Sequence, residues 1–333
     1  MAMAHPLISV VVPAYNAGRW IDRTLASIQG QTWREIEIIV VDDGSSDDTV
    51  VRVERAAAAD RRIRLVRQTN AGPAVARNRG LRECRGVFVA PVDADDLWAP
   101  DNLAQQAAAL MARPDAAFAF ARSLWIDADD RILAPPSDDK PPVCTYQALL
   151  EDNFIGNGSA CVFRRAALEA IGGYDERYCG GGEDWLLTLK LAAMAAFVCV
   201  PSYLIGYRQS AATFSATRSA EMCDAHVRIV AEMQRSGPKL AAISFARART
   251  RGLIWYLPRL RRSGNWRALL HYASIAFLAN PFWFEDARAR RFVAGAVRRR
   301  LGAPAATPAS YAGPAFQVCR PLAAAAPATE GVA

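Results

Sequence analysis

The segment VDADD, Val92 to Asp96, sets three carboxylates within five residues, directly behind the apolar run GVFVAPV. Acids at the end of a buried strand repel one another and lose hydration, so the placement needs a compensating partner. Asp93 and Asp95 lie two apart, and on an extended segment both can face one hard cation. Mg2+ or Mn2+ held by one or two carboxylates, with phosphate oxygens and water filling the remaining positions, suits this pair. The plainer reading is an acidic turn ahead of Pro100, with Asp96 a surface residue. As an isolated motif, DxD is common.

Three further clusters carry similar chemistry. In VVDDGSSDDT, Asp42 and Asp43 end a second apolar run, where a carboxylate can accept N–H bonds from a heterocyclic base. Asp47 and Asp48, past Gly44, read instead as helix caps. In GGGEDWLLTLK, Glu183 and Asp184 open a helix after three glycines. A helix N-terminus stabilises negative charge, so an ionised acid there can act as a general base served by a glycine loop; simple capping is the alternative. In NAGPAVARNRG, Arg77 and Arg79 fall on one helix, and either one faces a diphosphate or both are solvated. Trp98 and Trp185 directly follow acidic clusters; each reads as core packing before it reads as a floor for a sugar ring.

The elements that position these clusters are legible in the first two hundred residues. LISVVVP (7–13), IEIIVVD (36–42), IRLVRQ, GVFVAPV and AAFAFARS are short apolar, strand-like runs. Between them GRWIDRTLASIQGQ, DDTVVRVERAAAAD, GPAVARNRGLREC and APDNLAQQAAALMA have helical character, two of them with Pro in the first turn. This βαβ rhythm predicts an α/β fold, a mostly parallel sheet covered by helices on both faces. In such sheets ligands bind outside the carboxyl ends of the strands. PAYN, DDGSSDD, TNAGP and DADD follow strands one to four, so four polar loops converge on that edge. No GxGxxG follows strand one, which disfavours a dinucleotide-binding dehydrogenase.

The chain has 333 residues and a formal net charge of +7, unevenly spread. Residues 231–301 carry fifteen Arg or Lys against Glu232, Glu285 and Asp286, which suggests an anionic partner or a soluble Arg-rich helical face. Within that stretch ALLHYASIAFLANPFWF (268–284) is uncharged but interrupted at Asn280-Pro281, so an interfacial helix or a buried bundle helix fits better than a membrane span. The uncharged run 191–200 is too short to cross a bilayer and predicts a core helix running into a strand. APPSDDKPPV reads as a proline-rich surface loop, and 302–333 as a disordered Ala/Pro-rich tail. The seven cysteines show no CxxC pair, which predicts reduced, mostly buried thiols. With no signal peptide in MAMAHPLISVVVP, a cytoplasmic location is expected.

Together these residues resemble the family 2 inverting glycosyltransferases of the GT-A fold, in order over roughly 6–208: SVVVPAYNAGRWIDRTLASIQGQT, IIVVDDGSSDDT, NAGPAVARNRG, VDADD, GGYDE and GGEDWLLTLKLA. The resemblance implies a GT-A catalytic domain over 1–210, followed by a basic helical region over 211–301. It implies that Pro13, Ala14 and Tyr15 contact the nucleoside and that Asp43 bonds the base, typically uracil. Asp93 and Asp95 would flank the metal-bound diphosphate, with Asp95 the direct ligand. Asp184 would be the catalytic base, and Glu183 would support the acceptor site or its loop. Ser210 stands where related enzymes often carry a His after a YR pair, here Tyr207 and Arg208. The QxxRW motif of processive synthases is absent, which favours one sugar per visit. The expected donor is a nucleotide-sugar, the expected cofactor Mn2+ or Mg2+, and the expected acceptor a glycan or lipid-linked molecule. Peripheral contact with an anionic membrane at its inner face would suit the basic region. The rivals are a nucleotidyltransferase, whose glycine-rich basic signature after strand one is missing, and a non-catalytic membrane-surface module, which leaves the acids at the strand ends unexplained.

Overall fold

The computed structural model describes residues 5–134, 144–209, 217–280, 282–300 and 315–316. The strands are β1 (Ile8–Ala14), β2 (Ile36–Asp42), β3 (Ile63–Arg67), β4 (Phe88–Pro91), β5 (Leu97–Trp98), β6 (Ala116–Ile126), β7 (Cys161–Arg164) and β8 (Ala196–Arg208). They form one sheet in the order β3-β2-β1-β4-β7-β6-β8-β5. β1 and β2 are rich in Val and Ile and almost wholly buried, the pattern of a central strand covered on both faces. The pairs β1–β2, β1–β4, β2–β3 and β6–β8 are parallel. The antiparallel pairs all involve short strands: β7 with β4 and β6, and β5 with β8. The two-residue β5 was not foreseen, because Leu97–Trp98 offers no periodicity to read.

The helices of the first two hundred residues are α1 (Ile21–Gln29), α2 (Thr49–Ala59), α3 (Pro73–Glu83), α4 (Asn102–Ala112), α5 (Tyr146–Glu151), α6 (Arg165–Ala170) and α7 (Glu183–Ala192). Pro73 opens α3 as expected. The run 191–200 is the end of α7 passing into β8. Four helices follow: α8 (Ser219–Ser236), α9 (Ala242–Arg262), α10 (Trp266–Leu278) and α11 (Ala287–Arg300). One side of α8, through Ala225, Ile229, Val230 and Met233, joins the main core, while Cys223 joins a smaller core built with α9 and α10.

Two expectations need correction. Phe316 lies in the main core at 5% exposure, its N–H donates to the Asp130 carbonyl at 2.7 Å, and Ala315 bridges to Arg131. Part of the predicted tail is thus docked, because an apolar ring there fits over Gly206. Among the six described cysteines, Cys84, Cys161 and Cys223 are buried but Cys179 is exposed. The loop APPSDDKPPV, most of the tail and Ser210 lie outside the described residues.

Candidate active site

The four acidic and basic clusters meet at the carboxyl edge of the sheet. Arg77, on α3, is the hinge of the arrangement. Its Nη1 lies 2.5 Å from Glu183 Oε1 and its Nη2 lies 2.5 Å from Asp93 Oδ1. One guanidinium therefore ties the acids after strand four to the acids that open α7. The side chain is 6% exposed and sits 5.5 Å over the Tyr174 ring. The facing charges of Asp93 and Glu183 hold Arg77 well above the ordinary guanidinium value despite its burial. The solvated alternative is thus excluded for Arg77, which is a buried cation shared between two carboxylates.

VDADD is clamped from three other sides. Ser159 donates from Oγ to Asp96 Oδ2 at 2.5 Å and accepts the Asp93 N–H at 3.0 Å. Arg208, at the end of β8, donates its backbone N–H to Asp96 Oδ1 at 2.9 Å and its Nε to the Asp95 carbonyl at 2.7 Å. Its guanidinium also contacts the Asp127 carbonyl, pairs with Asp130 at 2.5 Å and lies 4.2 Å over Trp20. The Thr24 hydroxyl of α1 is 2.9 Å from the carbonyls of Ala94 and Asp96. Asp96 is fully buried, not a surface residue, because it is the anchor these groups grip. Burial, with Asp95 and Asp93 as neighbours, pushes its carboxyl well up. Burial and the charge of Asp93 likewise push Asp95 up to about 6.

On the other side of Arg77, α7 starts at Glu183 behind Gly182, whose φ of +83° and contact with Ile229 leave no room for a side chain. Burial pushes Glu183 up to about 7, although Arg77 opposes the shift. Burial also raises Asp184, again against Arg77. Asp184 Oδ1 accepts the Trp185 N–H at 2.7 Å, so the first turn of the helix holds one oxygen. Trp185 and Trp98 are both core residues, as expected, donating to the carbonyls of Leu149 and Ser159.

The nucleoside-side residues fare unevenly. Tyr15 is 55% exposed beside half-buried Pro13 and open to a ligand. Ala14 is 1% exposed and its carbonyl accepts the Asp43 N–H, so its side chain belongs to the core. Asp43 is buried, and its oxygens accept from Gln68 Nε2 and from the N–H groups of Ala71 and Gly72 at 2.8–2.9 Å. Its geometry is that of a clamp on the loop before α3. Asp47 accepts from the N–H groups of Gly18 and Thr49, in keeping with a capping role, whereas Asp48 makes no side-chain capping bond and pairs with Arg52.

Five carboxylates (Asp93, Asp95, Asp96, Glu183 and Asp184) thus gather with two guanidiniums, Arg77 and Arg208. No group of three or more acidic, His or Cys side chains among the described residues is arranged as a closed metal site. The excess of negative charge and the raised Asp95 fit a cation that takes one or two carboxylates and completes its shell from a substrate.

Comparison with known proteins agrees with this architecture. Residues 9–172, just under half of the chain, match the family model for glycosyl transferase family 2. TuaG of Bacillus subtilis (strain 168), named for teichuronic acid biosynthesis, is 36% identical over 152 residues, 45% of this chain and 60% of that one. The chain spans about half the length of the curated relatives it matches. The structure of the mannosyltransferase PcManGT from Pyrobaculum calidifontis, in complex with GDP-Man and Mn2+, superposes with a TM-score of 0.60 at 24% identity, over 90% of this chain and 88% of that one. S. aureus TarS 1-349 in complex with UDP-GlcNAc gives 0.59 at 21% identity over 81% of both chains. At these identities the two structures establish the GT-A-type fold.

Two residues central to the site escaped the sequence reading. Ser159 sits in GNGSACVF with no acidic neighbour to mark it. Arg208 was noted only as part of a YR pair; an arginine closing a strand otherwise buried was the available signal.

Proposed function

We propose that the chain transfers one sugar from a nucleotide-sugar, a UDP-sugar in the first instance, to a hydroxyl of a glycan or lipid-linked acceptor, with inversion. The observation that carries this reading is the Arg77 bridge, which puts the Asp93/Asp95 pair and the Glu183/Asp184 pair in one pocket. Asp184 is the general base. The Trp185 N–H fixes its Oδ1, leaving Oδ2 to take the proton of the acceptor hydroxyl. That oxygen attacks the anomeric carbon from the face opposite the diphosphate, the C–O bond to phosphate breaks, and the nucleoside diphosphate leaves. Asp95, with Asp93, would hold Mn2+ or Mg2+, which when bound supplies positive charge against that growing on the leaving group. Arg77 keeps Asp93 and Glu183 in place and balances their charge, Glu183 in turn supports the loop before α7, and Tyr15 offers its ring to the nucleoside. Asp43 supports the same side by shaping the loop before α3, with base contact as its second role. A nucleotidyltransferase would leave the α7 acids without a task.

Nucleotide release from UDP-GlcNAc, UDP-Glc and GDP-Man, measured with Mn2+, Mg2+ and EDTA, tests the reading. Metal-dependent release from at least one donor supports it, and none from any donor under any condition rejects it.

A second contact is supported by α10. Trp266, Leu270 and Leu278 are 59%, 70% and 84% exposed and share one helical stripe with Ser274 at four-residue spacing. Phe282 and Phe284 follow, also exposed, and Arg262, Arg267, Arg290 and Arg291 are exposed around them. No helix among the described residues is long and apolar enough to cross a membrane. Aromatic and aliphatic side chains ringed by arginine suit the interface of an anionic bilayer, in line with a cytoplasmic protein held peripherally at the inner face. Flotation with phosphatidylglycerol-containing vesicles, against pure phosphatidylcholine, tests it; equal recovery in both rejects it.

A further inference from the structure

The cleft beside Asp184 is lined by Asn153, Asn157, Gly158, Tyr174 and Thr188. A Cβ on Gly158 would lie 3.6 Å from Arg77 Nη2 and 3.7 Å from the Asp184 Cβ, so this loop borders the reacting centre directly. Its neighbour Asn157 is 5% exposed. The Asn157 Nδ2 donates to Ser123 Oγ at 2.8 Å, while Oδ1 has no hydrogen-bond partner among the described residues. Such a buried, unmatched amide oxygen keeps its full desolvation penalty. Turning the amide lets the Ser123 hydroxyl donate instead and leaves an N–H unmatched. Either way one amide atom awaits a partner, and a hydroxyl, which both donates and accepts, matches both.

Ser123 stands on β6, and Trp125 is two residues further on the same face, about 7 Å along the strand. The Trp125 ring meets Trp255 of α9 edge-on, with centroids 5.4 Å apart at 69°. Both rings keep about two-fifths of their surface exposed, 39% and 40%. Arg259 sits 5.1 Å over Trp255, and Tyr207 neighbours Trp125 in the sheet register. From Asp184 a line of groups thus runs through Asn157 and Ser123 to a pair of exposed indoles.

We propose that this line is an acceptor subsite for a saccharide of at least two rings. Asn157 takes a hydroxyl of the ring being glycosylated, and Trp125 with Trp255 holds the apolar face of the next ring. Large flat aromatics with a wet edge suit a sugar, whose C–H face is apolar and whose rim is polar. The inference rests on the glycosyl-transfer reading and specifies what it accepts: an oligosaccharide, not a bare lipid alcohol.

Saturation-transfer NMR on the full chain with UDP and Mn2+ tests it, using methyl glycosides of hexoses and N-acetylhexosamines as monosaccharides and as disaccharides. The expected result is at least one disaccharide bound about tenfold more tightly than its monosaccharide. Trp125→Ala and Trp255→Ala remove that advantage, and Asn157→Ala weakens both ligands. Trp125→Phe and Trp255→Phe retain most of the advantage, which separates loss of a stacking face from loss of the fold. A wild-type protein that binds no disaccharide better than its monosaccharide overturns the proposal, as does an undiminished advantage in both alanine variants. Donor hydrolysis by the wild-type protein is followed in parallel. Its absence alongside preserved disaccharide binding would reject the transferase reading and leave a saccharide-binding site.

Discussion

Around Asp95, charge is buried and short of partners; along α10, apolar surface is exposed and ringed with charge. The first arrangement is paid for by the fold, through Arg77, Arg208, Ser159 and Thr24, each reaching in from a different element. The second rests on a small core of Leu253, Leu257, Tyr272 and their neighbours, and leaves its outer face unmatched. Both are locally unfavourable, and the proposed function matches each with a partner: a cation and a diphosphate in one case, an anionic lipid surface in the other. The sheet edge is therefore sensitive to single side chains, whereas the helical face should tolerate them until the partner is added.

The contrast breaks most easily at Arg77. Arg77→Leu leaves buried Glu183 without its cation, with half-buried Asp93 beside it, and breaking a buried pair costs about 3–5 kcal/mol. Denaturant unfolding should report a loss of that size, together with loss of nucleotide release. Asp95→Asn separates function from stability. Because its folded pKa is raised from 3.8 to about 6, ionised Asp95 opposes folding: the stability present below pH 3.8 is lost as pH rises through about 6. The variant should therefore gain up to about 3 kcal/mol at pH 7 without metal, lose stabilisation by Mn2+, and lose about 10²-fold or more in transfer.

The pH profile sharpens the same side. Asp184 must be ionised to act as base, and burial raises its pKa above 3.8, with Glu183 beside it at about 7. Activity should fall as pH drops, with the acidic limb of kcat/KM above the ordinary carboxylate range. A limb at pH 4 or below would contradict the burial on which the site depends. On the helical side, Leu270→Glu with Leu278→Glu should change stability by no more than about 0.5 kcal/mol, since both side chains are exposed. Flotation with anionic vesicles should nevertheless fall severalfold.

How much of this was legible in sequence follows the same division. β1 to β4 were readable because buried strands advertise themselves as β-branched runs, and the loops behind them followed from strand order. The pairing of Asp93 and Glu183 through Arg77 spans 106 positions between its ends on α3 and α7, and no local pattern encodes it. The anchoring of Asp96 was hidden for a related reason: it depends on Ser159 and on Arg208, 112 residues away, whose local contexts give no hint of an acidic partner. Asp43 offered one chemistry in sequence and another in three dimensions, because Gln68 and the Ala71–Gly72 turn fold back onto it. For 268–284 the sequence left open an interfacial or a buried helix; one face is buried, with Leu269, Tyr272 and Ala276 facing in, while Trp266, Leu270 and Leu278 face out.

The most direct test of the account is Asp184→Asn, compared with wild type by acceptor-dependent nucleotide release and by donor binding in the same buffer. The amide is nearly isosteric and can keep the Trp185 contact, but it cannot take a proton. The account predicts transfer reduced about 10²–10⁴-fold with donor affinity within about threefold of wild type. Transfer at the wild-type rate by Asp184→Asn would contradict it.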